Sequence, residues 1–154
     1  MCSYYAKHNI EVEPENILVT TGASEAIIMT LDCITNEGDE LIIPEPFYAN
    51  YDTFAAASGV NVIPVSSTID SHFSLPSMDE IEGKINDKTR AILICNPNNP
   101  TGYVYTHKEL NDLAYLVKKY DIFLIVDEVY REFVYDGAIP VSYTHLTLPT
   151  SYAV

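Results

Sequence analysis

Residues 122–126 read IFLIV, and this short run constrains the chain more than any other feature. It is too uniformly apolar for a strand with one wet face and too short for a helix. It therefore belongs in the middle of a parallel sheet that is covered on both sides. A second run of the same kind, AILIC at 91–95, predicts a neighbouring buried strand, and ILVT at 17–20 and Val60 to Val65 predict two more. Leu41 to Ile43 is another short apolar stretch, ahead of a proline-bracketed turn at Pro44-Glu45-Pro46.

Helical signals alternate with these strands. Ile27, Leu31 and Ile34 recur at helical spacing after the small-residue turn Thr21-Gly22-Ala23-Ser24, and the aromatic and alanine-rich stretch from Phe47 to Ala57 suits a helix ended by Gly59. Ser66 to Pro76 reads as a loop. Ser77 with Glu80 and Thr106 with Glu109 each have the spacing of a capping box, predicting helices over Met78 to Ile85 and from Thr106 to about Tyr120. Leu110, Leu113, Ala114 and Val117 form the apolar stripe of the second. Strands alternating with helices imply a doubly wound α/β fold, whose ligands gather at the carboxyl ends of the strands. The residues just after ILVT, AILIC and IFLIV are thus where chemistry is to be sought.

Composition narrows the partners. With 8 Lys and Arg against 22 Asp and Glu, a net charge of −14 leaves too little basic surface for nucleic acid or anionic lipid. No apolar run approaches membrane-spanning length, and Met1 to Ile10 lacks the basic and apolar regions of a signal peptide. Cys2, Cys33 and Cys95 are odd in number and scattered, which points to neither a disulfide framework nor a zinc site. A reduced, cytoplasmic protein is expected.

Three strand ends carry unusual residues. Gly22-Ala23-Ser24 opens a helix with free amides and a hydroxyl, a natural phosphate cradle, although many α/β domains use such residues only to turn and cap. Asn96 to Gly102 reads NPNNPTG, in which two X-Pro pairs stiffen the loop and hold Asn side chains at a strand end. Asp127 directly follows IFLIV, where a buried carboxylate costs several kcal/mol unless paired or hydrogen-bonded, so a cationic partner is expected. Taken alone it serves equally well as a cap for the next segment. Tyr48 and Tyr130 are two of 12 tyrosines, and a lone tyrosine is more often packing than ligand contact.

In combination, VTTGASEA (19–26), PEPFYANY (44–51), NPNNPTG (96–102) and VDEVY (126–130) resemble the class I/II aminotransferases of the aspartate aminotransferase superfamily, fold type I. The resemblance covers nearly all of Glu11 to Gly137, well under half of the usual family length, and it implies the central part of the large pyridoxal phosphate-binding domain without its amino-terminal arm. It further implies that the amides at Ala23 and Ser24, with the Ser24 hydroxyl, hold the cofactor phosphate. Tyr48 would then stack on the pyridine ring, Asn99 and Tyr130 would donate to its phenolic oxygen, and Asp127 would pair with its ring nitrogen.

The Schiff base lysine of the family lies downstream of the DE-x-Y strand. Here the last lysine is Lys119, so the 154 residues are not expected to transaminate by themselves. The implied activity of the parent is amino-group transfer between an amino acid and a 2-oxo acid, by an intact homodimer. Carbon-sulfur β-lyases and cyclopropane-forming synthases share the same cradle, and a non-catalytic pyridoxal phosphate-binding module is a further alternative. A dinucleotide-binding domain would need G-x-G-x-x-G where GASEAI stands.

The final stretch is different. VSYTHLTLPT at 141–150 lacks helical period, charge and a buried run. The codons GTC TCT TAT ACA CAT CTG ACG CTG CCG ACG encode it, and that string resembles a transposon-based sequencing adapter. Residues 1–140 are therefore read as the partial domain, and 141–154 as a non-native tail to be excluded from fold reasoning.

Overall fold

The structure, a computed structural model, describes residues 1–7, 10–135 and 152–153. Helices α1 (Cys2–Lys7), α2 (Ala23–Ile34), α3 (Asn50–Ala57), α4 (Met78–Glu82) and α5 (His107–Tyr120) alternate with strands β1 (Glu40–Glu45), β2 (Asn61–Ser66), β3 (Thr89–Cys95) and β4 (Phe123–Asp127). A two-residue strand, β5 (Tyr152–Ala153), pairs with β4. The sheet order is β2-β1-β3-β4-β5 and every pairing is parallel. The α/β architecture implied by the sequence is thus present. Of the terminal stretch, residues 141–151 and 154 lie outside the described residues, as do 136–140.

Strand parity decides what each face of the sheet carries. Ile42, Ile92, Ile94, Leu124 and Val126 point to one side, where Leu110, Leu113, Leu116 and Val117 of α5 and Ile81 of α4 cover them. Leu41, Ile43, Ala91, Leu93, Cys95 and Ile125 point to the other, against Ile27 and Leu31 of α2 and Tyr51 and Ala55 of α3. Two buried faces explain why the central strands show no polar alternation. The parity also aims the last residues of β3 and β4. Cys95 and Asp127 are partners in the register, and both emerge on the side of α2 and α3.

Both capping boxes form. The Ser77 hydroxyl accepts from the Glu80 amide at 3.3 Å while the Glu80 carboxylate accepts from the Ser77 amide at 3.0 Å. Thr106 and Glu109 make the same exchange at 3.2 and 2.7 Å. Helix α4 ends at Glu82 rather than Ile85, with Gly83 at its C-cap, and the loop before it contains a single 3-10 turn at Ile69–Ser71.

Three expectations are corrected. Ile17 to Thr20 has no regular secondary structure and joins no strand among the described residues, and Leu18 and Val19 are each 72% exposed. A β-branched run becomes a strand only where a neighbour accepts its ladder, and none of the described strands lies beside this one. β1 runs through Pro44 to Glu45 instead of turning there; its pairing with β3 stops at Ile42, so the missing Pro44 amide breaks no bond on that side. Helix α3 starts at Asn50, not Phe47, and Tyr48, ahead of it, lines the cavity at the sheet's carboxyl end.

Candidate functional site

The carboxyl ends of β3 and β4 and the first turns of α2 and α3 enclose a cavity of about 200 Å³. Ala23, Ser24, Tyr48, Asn99, Asp127 and Tyr130, which the sequence singles out from four separate motifs, all line it. Tyr51 and Cys95 line it as well.

Each wall follows from local structure. The hydrogen-bond ladder of α2 begins with the Ala26 amide donating to the Gly22 carbonyl at 3.2 Å, so the amides of Ala23 and Ser24 lie before it and have no intrahelical partner. Those amides and the positive end of the helix dipole make this wall suited to an anion. The NPNNPTG loop is braced from within. Asn98 donates from its side chain to the Pro46 carbonyl at 3.1 Å and to the Thr101 hydroxyl at 2.8 Å, while its carbonyl accepts from the Gly102 amide at 2.8 Å. Gly102 has φ +73°, the left-handed turn that lets this loop close without steric cost. Asn96 anchors the same loop to the sheet, its amide donating to the Asp127 carbonyl at 2.9 Å and its side-chain oxygen accepting from the Tyr105 amide at 3.0 Å. Asn99 is thereby held with its side-chain amide 3.4 Å from the Tyr130 hydroxyl.

Asp127 forms the floor. It is 4% exposed, and its carboxylate accepts from the Tyr51 hydroxyl at 2.7 Å through Oδ2 and from the Val129 amide at 3.0 Å through Oδ1. Among the described residues no Lys, Arg or His comes within ion-pair distance of it, and both of its hydrogen bonds come from neutral donors. Its neighbours stay uncharged. Burial, then the charge of Asp127, pushes the Cys95 thiol up to about 11, and the same two causes in the same order drive the Tyr51 hydroxyl far above the ordinary phenol range. A single carboxylate thus faces the cavity from a floor of neutral groups. That arrangement suits one cationic hydrogen-bond donor of a ligand.

Tyr48 supplies the rim. It is 37% exposed, accepts from the Asn50 side chain at 2.7 Å, and stands edge to face with Tyr51 at a centroid distance of 5.5 Å. Its ring lines the cavity beside Asp127. Tyr51 and Cys95 were not singled out by the motifs. Tyr51 lies one helical turn beyond Tyr48, and Cys95 closes the strand run next to IFLIV, so spacing and parity are the signals that point to them. Among the described residues no lysine lines the cavity.

A parallel sheet flanked by helices on both faces, with this cavity at its carboxyl edge, has the architecture of the fold type I aminotransferases. The profile of the family described as Aminotransferase class I and II matches residues 1–150, and the chain belongs to that family, whose members depend on pyridoxal phosphate. The putative aminotransferase YugH of Bacillus subtilis (strain 168) is 40% identical over 131 residues, which is 84% of this chain and 34% of that protein. An aspartate aminotransferase of the same organism is 36% identical over 139 residues, 90% of this chain and 35% of the relative. A tetra mutant of Thermus thermophilus aspartate aminotransferase superposes with a TM-score of 0.91 at 28% identity, covering 98% of this chain and 41% of that one. The chain spans about a third of the length of the curated relatives it matches.

Proposed function

We propose that the cavity is the pyridoxal phosphate cradle of an aminotransferase, and that the whole protein moves an amino group between an amino acid and a 2-oxo acid. One observation carries this reading: Asp127 is a buried carboxylate with no cation beside it among the described residues, on the floor of a cavity whose other walls suit an anion and a flat ring. The residues fit the cofactor. Ala23 and Ser24 would take its phosphate, Tyr48 would cover one face of its ring, and Asn99 and Tyr130, already within hydrogen-bond reach of each other, would both donate to its phenolic oxygen.

Asp127 would hold a proton on the ring nitrogen, since a desolvated carboxylate favours the protonated form of a base next to it. Bound in this way, the cofactor supplies an electron sink for bond breaking at the α-carbon of an amino acid. The buried floor keeps water from the Asp127 carboxylate, and the stiff Asn96 to Gly102 loop fixes the Asn99 donor. The covalent anchor, a lysine, is not among the described residues that line the cavity.

Carbon-sulfur lyases and cyclopropane-forming synthases could use the same cradle; the similarity to aminotransferases favours amino-group transfer. The same reading takes the intact protein as a homodimer. The three free cysteines support a reducing, cytoplasmic setting. Residues 1–140 are assigned to the domain and 141–154 to a foreign tail on the strength of the codon resemblance.

Titration of the chain with pyridoxamine 5′-phosphate, followed by the ligand's fluorescence, tests the cradle. Saturable one-to-one binding is expected. Asp127→Asn keeps the shape but removes the charge; breaking a buried pair costs about 3 kcal/mol or more, so affinity should fall on the order of a hundredfold. Equal affinity of wild type and Asp127→Asn would overturn the reading.

A further inference from the structure

Tyr51 has no part in the roles above, yet it is 1% exposed and its hydroxyl lies 2.7 Å from Asp127 Oδ2. Its ring cannot swing away. Phe47 stacks on it at 6.3 Å with 26° between the planes, and Tyr48 meets it edge to face at 5.5 Å and 88°. A phenylalanine would fill the same space, so packing alone gives no reason for a hydroxyl at this depth. Burying one costs free energy unless it finds a partner. The partner it finds is the carboxylate that faces the cavity, and the Val129 amide holds the other oxygen of that carboxylate at 3.0 Å.

We infer that Tyr51 is a positioning residue that sets the plane of the Asp127 carboxylate for the cofactor's ring nitrogen, an inference that rests on the cradle reading. Tyr51, in the first turn of α3, follows Tyr48 by three residues, and its amide donates to the Tyr48 carbonyl at 3.0 Å. One turn of chain therefore fixes both the ring that covers the cofactor's face and the acceptor that meets its edge. Neutrality of the phenol keeps it a donor at all working pH values, because burial and the Asp127 charge both oppose its ionisation. With one oxygen released, the carboxylate must be re-ordered each time a ligand binds.

A double-mutant cycle tests this with the full 154-residue chain and pyridoxamine 5′-phosphate as the probe. Tyr51→Phe should weaken binding about tenfold, equivalent to about 1.4 kcal/mol. In the Asp127→Asn background the same change should cost less than about twofold, since a residue acting through the carboxylate has nothing left to position. Wild-type affinity in Tyr51→Phe, or an undiminished tenfold loss in the Asp127→Asn background, would overturn the inference while leaving the cradle intact. Wild-type affinity in Asp127→Asn removes the cradle and this inference together. Should Tyr51→Phe fail to fold by circular dichroism, wild-type and Asp127→Asn chains labelled with 3-fluorotyrosine answer the question by fluorine NMR. One buried tyrosine resonance is then expected to move with the Asp127 substitution and again with ligand. A spectrum in which no tyrosine responds to both refutes the assignment.

Discussion

Removing the carboxylate of Glu109 should destabilise the chain far more than removing the threonine it caps. Glu109 accepts from the Thr106 amide and hydroxyl, both at 2.7 Å, from the Leu75 amide at 2.9 Å and from the Tyr103 hydroxyl at 3.2 Å. Thr106→Ala loses one N-cap oxygen, worth about 1 kcal/mol. Glu109→Ala loses the reciprocal half of that cap, about 1 kcal/mol, and a favourable charge in the first turn of α5, about 0.5 kcal/mol. It also strands the half-buried Leu75 amide, at about 1 to 2 kcal/mol, and the total comes to about 3 kcal/mol. Urea unfolding of both variants followed by circular dichroism gives the two differences directly. The damage should also reach the site, because Tyr103 both packs against the α5 core and closes the Asn96 to Gly102 loop through the Asn98 amide. A Glu109→Ala chain no less stable than Thr106→Ala would refute the view that this carboxylate ties loop, turn and helix together.

Two further predictions concern single groups on the cavity wall. The Cys95 thiol titrates near 11 in the fold against an ordinary 9.0, so folding favours its protonated form; that contribution is intact below pH 9 and is lost as pH rises through 11. Between pH 8.5 and 11 the wild-type chain should therefore lose about 2 kcal/mol more unfolding free energy than Cys95→Ala, and parallel pH profiles for the two would contradict the burial of this thiol. Ser24→Ala should weaken pyridoxamine 5′-phosphate about fivefold and leave unphosphorylated pyridoxamine unaffected, as competition titrations would show; an equal loss for both ligands would place Ser24 away from the phosphate.

The legible parts of this molecule were those whose physics is local or periodic. IFLIV and AILIC announce buried parallel strands because nothing else tolerates apolar residues on both faces, and both capping boxes appear where Ser77, Glu80, Thr106 and Glu109 place them. ILVT misleads for a tertiary reason: Leu18 and Val19 have strand composition, but among the described residues they have no neighbour to pair with. Asp127 was recognisable as a carboxylate in need of a partner, whereas the donors within the chain that hold it in place were not. Tyr51 lies 76 positions away in sequence, and only the folding of α3 onto the sheet brings its hydroxyl to the floor. Cys95 was hidden by its ordinary appearance in an apolar run, and its importance follows from its register with Asp127.

In the cradle, Asp127 is expected to keep a ring nitrogen protonated. Nitrogen NMR of pyridoxamine 5′-phosphate labelled with ¹⁵N in the ring, bound to the chain and titrated with alkali, measures this at the atom concerned. The bound nitrogen should remain protonated at pH values where the free ligand has lost its proton, and it should revert to the free ligand's titration in Asp127→Asn. A bound nitrogen that titrates like the free ligand in the wild-type chain would contradict the account.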